Sequence, residues 1–209
     1  MEVLEALKGG KFLDRLVFGG GTMLRLCYGL NRYSSDLDFW FLKGTGAAAY
    51  VKKLKVYLAD RYEMTDAQVK HFTVLFELRS RAHPKRLKIE IRKEPAAGHF
   101  EDRIAYSPYD TRQVIVRVFS LEDMIQRKIA AALDRKDIRD FFDIEYIARK
   151  GEGLNITRET MASLDRMLHE FKPKDYKVTL GSVLEPAMRE YYVKNGFAYL
   201  AEKLAREMQ

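Results

Sequence analysis

Three consecutive glycines, Gly19 to Gly21, run into Thr22, and after thirteen further residues come two aspartates, Asp36 and Asp38, in alternate positions. No other stretch restricts the chain as much. Glycine adopts φ > 0 freely and has no Cβ, so backbone N–H groups at such a turn approach an anion closely. A helix opening at Thr22 would aim its unpaired N–H groups at the same point. On a strand, Asp36 and Asp38 project to one face while Leu37 points to the other. Adjacent carboxylates repel each other unless a cation lies between them, and Mg²⁺ or Mn²⁺ carrying a polyphosphate is the natural occupant. Taken singly, the glycines read as a strand-to-helix turn and the aspartates as a solvated strand edge. Together, within one supersecondary unit, they are the equipment for nucleotidyl transfer.

The pattern around this feature predicts an α+β chain. Residues 3–16 read as a short helix, 22–28 as another, and 47–62 as a third, with Val51, Leu54 and Leu58 in helical register. Residues 34–41 turn into a strand, and 72–78, 87–91 and 114–119 read as further strands, the middle two joined by a basic loop containing Pro84. After Ser120, a candidate N-cap, the sequence becomes helical over about 121–134, 137–150, 157–171 and 184–207. The expected organisation is an α/β core over 1–119 with a small mixed sheet, then a helical part over 120–209.

Two-metal phosphoryl chemistry calls for a third carboxylate on a neighbouring strand. Glu90 is the candidate, because Leu87, Ile89 and Ile91 alternate with Arg86, Lys88, Glu90 and Arg92, leaving it the one acid on the charged face. A cross-strand salt bridge is the alternative. Lys128 stands one step from the apolar stripe of its helix, where a long stem can carry the ammonium inward to a triphosphate or leave it on the surface. Asp137 fits an N-cap and Asp140 the first turn of the next helix. Asp140 shares a face with Asp143, so a role in capping and a role in orienting Lys128 both stay open.

With 37 Lys and Arg against 30 Asp and Glu, the net charge of +7 favours polyanionic partners. The basic run from Arg79 to Lys93, including Arg81, Lys85 and Arg86, suits an RNA backbone, a triphosphate or a solvated hairpin. Tyr191, Tyr192, Phe197 and Tyr199 read as helix packing or a partner surface. No apolar run approaches the ~20 residues of a membrane span. With no signal pattern at the N-terminus and a single cysteine, Cys27, on an apolar helical stretch, a cytoplasmic protein is expected.

The residues from Phe18 through Leu26 and from Tyr33 to Phe39 resemble the first motif of the AbiEii/AbiGii nucleotidyltransferase toxins, within the DNA polymerase β-like superfamily. Lys128 to Arg135, followed by Arg139, Asp140 and Asp143, is similar to that family's later lysine and Arg-Asp motifs, in the same order. The resemblance implies a polymerase β-like core, phosphate held at Gly20, Gly21 and Thr22, and metal at Asp36 and Asp38. It also implies that Lys128 and Asp140 complete the nucleotide site. An NTP as substrate, a tRNA acceptor and a cognate antitoxin are the expected partners. A small-molecule or protein nucleotidyltransferase, and a non-catalytic NTP- or RNA-binding module, are the alternatives.

Overall fold

The structure, a computed structural model, describes residues 1–80 and 85–208, and the chain forms two compact units. The first comprises Met1–Gly29 and Ser34–Ser120, and the second Leu30–Tyr33 and Leu121–Gln209.

The first unit is built on a mixed sheet of seven strands: β1 (Leu16–Gly19), β2 (Leu37–Phe41), β3 (Glu63–Val69), β4 (Thr73–Arg79), β5 (Leu87–Pro95), β6 (Phe100–Ser107) and β7 (Asp110–Phe119). Their order is β3-β4-β5-β2-β1-β7-β6. The β1–β7 and β2–β5 pairs are parallel and the others antiparallel. Register carries one apolar row across the sheet: Val118 beside Phe18, Phe18 beside Phe39, Phe39 beside Ile91, and Ile91 beside Val74. All five are buried, each contributing roughly 1.5–3 kcal/mol of transfer free energy. Helices α1 (Glu2–Gly9), α2 (Gly20–Tyr28) and α3 (Ala47–Ala59) complete this unit. From α3, Leu54 and Leu58 are buried, and the Tyr50 ring meets Phe12 and Phe41 edge-on.

Sequence periodicity did not predict β1, β3 or β6, and the helix expected over 3–16 ends at Gly9. β3 keeps no residue fully buried, and β6 buries Ala105 alone, so neither shows the alternation of a half-buried strand. Helix α2 begins two residues earlier than expected, at Gly20, and ends at Gly29, whose left-handed φ of 78° lets its N–H reach the Leu24 carbonyl.

The second unit holds α4 (Leu121–Arg135), α5 (Ile138–Arg149), α6 (Arg158–Glu170), α7 (Pro186–Asn195) and α8 (Ala198–Met208). Asp137 caps α5, accepting from the Arg139 N–H at 2.9 Å, and Thr157 caps α6. The stretch 184–207, expected as one helix, is broken: Gly196 takes φ +56°, separating α7 from α8. Between α6 and α7, Asp175–Leu180 winds as a π-helix. Glu145, fully buried on α5, accepts from the Tyr192 hydroxyl at 2.9 Å, the Leu200 N–H at 3.1 Å and Arg149 at 3.1 Å, fastening α7 and α8 to α5. Tyr192 and Phe197 pack against each other, with Phe142 and Tyr176 alongside. Those two rings therefore serve helix packing. Among the described residues no helix is long and apolar enough to cross a membrane.

Cys27 lies on α2, where burial pushes its thiol up to about 12 against the pull of Arg103. The thiolate is the reactive form. At pH 8, iodoacetamide is expected to alkylate Cys27 in the folded protein roughly a thousandfold more slowly than in urea, tenfold per pKa unit. Equal rates would show the thiol to be open.

Candidate functional site

In the first unit, Gly19 at the end of β1 pairs with Asp38 on β2. Gly20, the first residue of α2, takes φ +74° and is pressed on the Asp38 carboxylate: a Cβ there would lie 2.2 Å from Oδ2. Only glycine satisfies both conditions. The N-terminus of α2 and the Asp38 carboxylate are thereby brought together. Asp36 directly precedes β2, so the segment entering that strand carries both aspartates.

Parallel pairing sets Asp38 beside Glu90 on β5. Glu90 accepts from the Lys88 ammonium at 2.8 Å. That bond outweighs partial burial and holds the Lys88 pKa above the usual lysine range, with the charges of Glu90, Asp36 and Asp38 adding to it. One protein-borne cation thus lies in the field of three carboxylates. Among the described residues no three His, Cys, Asp or Glu side chains approach closely enough to share a metal ion. The donors Asp36, Asp38 and Glu90 are nevertheless all oxygen, the set Mg²⁺ and Mn²⁺ prefer. The Lys88 ammonium beside them shows that this field accepts a cation. The residues fit such an ion in kind.

Gly21 is buried at the start of α2, and the Thr22 hydroxyl donates to Ser34 Oγ at 2.9 Å. Of the basic run, Arg86 pairs with Glu77 at 2.8 Å, Arg92 lies over the Trp40 ring and Lys93 donates to the Lys70 carbonyl. Arg81 and Pro84 lie outside the described residues.

In the second unit, Lys128 on α4 is buried and held by two carboxylates of α5, Asp143 at 2.7 Å and Asp140 at 3.0 Å. Arg32 grips Asp143 with both arms, at 2.6 and 2.7 Å, and Arg135 does the same to Asp140, at 2.6 and 2.8 Å. Burial works against the Asp143 charge, but Lys128 and Arg32 outweigh it and hold its carboxyl below the usual range. Lys128 is likewise raised, its loss of water more than offset by Asp143 and Asp140.

Sequence reasoning counted Lys88 only as one of several basic residues. Its position two before Glu90, on the same strand face, was the available signal. Arg32 and Ser34 carried none, because both lie in irregular chain and their partners are 111 and 12 residues away.

A carboxyl held below its unfolded value contributes stability that is fully present above about pH 4 and lost as pH falls through the folded value. Asp143→Asn leaves two buried cations short of a partner and is expected to cost about 3–5 kcal/mol at pH 7. Urea titrations from pH 7 to pH 3 should show the gap to wild type narrowing below about pH 4. A gap independent of pH would assign the loss to packing.

A family model described as "Nucleotidyl transferase AbiEii toxin, Type IV TA system" matches residues 2–196. No curated protein matches the chain in sequence. Two solved structures share its fold. One, JHP933 from Helicobacter pylori, is 21% identical with a TM-score of 0.54, over 97% of this chain and 94% of its own. The other, an H. pylori protein provisionally described as a nucleotidyltransferase, is 21% identical with a TM-score of 0.59, over 100% of this chain and 96% of its own. With the match running through both units, the chain belongs to the AbiEii nucleotidyl transferase toxin family.

Proposed function

We propose that this chain moves a nucleoside monophosphate from an NTP to an acceptor, tRNA foremost, in a Mg²⁺- or Mn²⁺-dependent reaction, as the toxin of a cytoplasmic toxin–antitoxin pair. The observation that carries this reading is the junction of Gly20, Asp38 and Glu90: a helix N-terminus against one carboxylate, with a second beside it on a parallel strand. Asp36, Asp38 and Glu90 would hold the metal, which when bound polarises the α-phosphate and stabilises departing pyrophosphate. Unpaired N–H groups at Gly20, Gly21 and Thr22 would take phosphate oxygens. The acceptor hydroxyl forms its bond to the α-phosphorus as the bond to pyrophosphate breaks, and its proton passes to one of these carboxylates. Lys88, already bonded to Glu90, relieves their mutual repulsion before substrate arrives.

Lys128 and Asp140 belong to this reading through the family resemblance. A tRNA acceptor is supported by the basic balance of the chain and by the run around Lys85 and Arg86. A cognate antitoxin is the protein partner that membership of a toxin family suggests.

Incubation of each labelled NTP with total cellular RNA, with Mg²⁺ or with EDTA, tests the activity and identifies the nucleotide. Label is expected on tRNA, dependent on the metal. Asp38→Asn is expected to lower transfer by on the order of 10²–10³ or more, as loss of charge stabilisation in a preorganised site does. Its melting temperature should stay close to that of wild type. Transfer at the wild-type rate by a folded variant would overturn the mechanism, and label on protein in place of RNA would overturn the acceptor.

A further inference from the structure

The first unit contains a cavity of about 430 Å³ that is lined by Thr22 but by none of Asp36, Asp38 and Glu90. Leu37, Leu78 and Leu87 form part of its wall. Leu37 precedes Asp38 on β2, and Leu87 lies three before Glu90 on β5, so alternation directs these leucines to the face opposite Asp38 and Glu90. Arg79 and Arg86, next to Leu78 and Leu87 in sequence, alternate to the other face, so the cavity lies at the ends of these strands and takes side chains from both faces.

Its charge is one-sided. Arg25, Arg79, Lys85, Arg86 and Arg112 line it, against the carboxylates of Glu2 and Asp110. Arg86 is already paired with Glu77, and Arg112 with Glu5 and Asp110. Among the described residues, Arg79 and Lys85 carry no ion pair, and the buried Arg79 Nε has no hydrogen-bond partner. Hydroxyls of Ser34, Ser35 and Ser80 add short polar contacts, while the leucines offer an apolar wall. The volume falls within the roughly 300–1,000 Å³ of small-molecule sites, towards the lower end.

We propose that this cavity is a metal-independent binding site for a phosphate monoester of mononucleotide size. Arg79 and Lys85 take the phosphate, and the leucine wall takes the flat ring. Guanidinium groups suit phosphate oxygens by geometry and ammonium by charge. Thr22 and Ser34, joined by their hydroxyls, border the cavity, and Asp36 follows Ser35 directly, so chain at the rim continues into the aspartate pair.

Isothermal titration of the full chain with AMP in EDTA tests this. Saturable one-site binding is expected, weakened at least tenfold in the Arg79→Gln/Lys85→Gln variant and unchanged in Asp38→Asn. Adenosine, lacking the phosphate, should bind at least tenfold more weakly than AMP. Because Lys85 is exposed, Lys85→Gln alone should keep the wild-type melting temperature and still weaken AMP severalfold. A 5′-phosphorylated trinucleotide as competitor separates sources of the phosphate: competition admits a strand end, and no competition leaves the free mononucleotide as occupant. No AMP binding at millimolar concentration in EDTA would overturn the proposal. So would binding lost in Asp38→Asn but retained in both cavity variants, which would move the ligand to the carboxylate face.

Discussion

Asp143 has no access to water, and an ionised carboxylate in that position survives only if cations and hydrogen bonds replace its hydration. Lys128 and Arg32 supply that replacement, and Asp140, nearly as buried, relies on Lys128 and Arg135. Lys128 bridges both carboxylates while Arg32 and Arg135 each hold one, so α4, α5 and the segment 30–33 are held to one arrangement. Lys128 is therefore less a free ammonium than the centre of a neutralising network. Whatever else it touches must compete with two carboxylates.

A different constraint governs the first unit. Along β2 and β5 every second residue belongs to the core, and the residues between them face the other side. Phe39 and Ile91 anchor the sheet from within, and the same pairing sets Asp38 beside Glu90 outside it. Packing and chemistry are thus two readings of one register. A slip of one residue would bury the carboxylates and expose the phenylalanine.

This explains what was legible in the sequence. β5 and α4 announced themselves because one face is apolar and the other charged, and Glu90 could be singled out on that alternation. β3 stood outside its reach because an edge strand with little buried surface has no pattern to show. The glycine turn was legible as a turn, but its reason was not: the Asp38 carboxylate fills the space where a Gly20 Cβ would be, a contact made between α2 and β2. The break at Gly196 was hidden by helix-forming residues on either side, so that φ +56° at one glycine outweighed the local preference. Arg32 is the clearest case of information absent locally, since its partner comes 111 residues later.

That distance also bears on how the chain is made. Synthesis runs from the N-terminus at roughly 5–20 residues per second, so Arg32 leaves the ribosome about 5–20 s before Asp143 exists. The Tyr33 N–H waits longer still, for the Val183 carbonyl it reaches at 2.7 Å, and Arg32 for its bridge to Leu184. The nascent first unit must therefore carry a four-residue interruption belonging to a body not yet translated, with a cationic side chain in water until its counter-charges arrive. Completion of the helical unit is thereby the step that fixes residues 30–33, long after the chain on either side of them has been made.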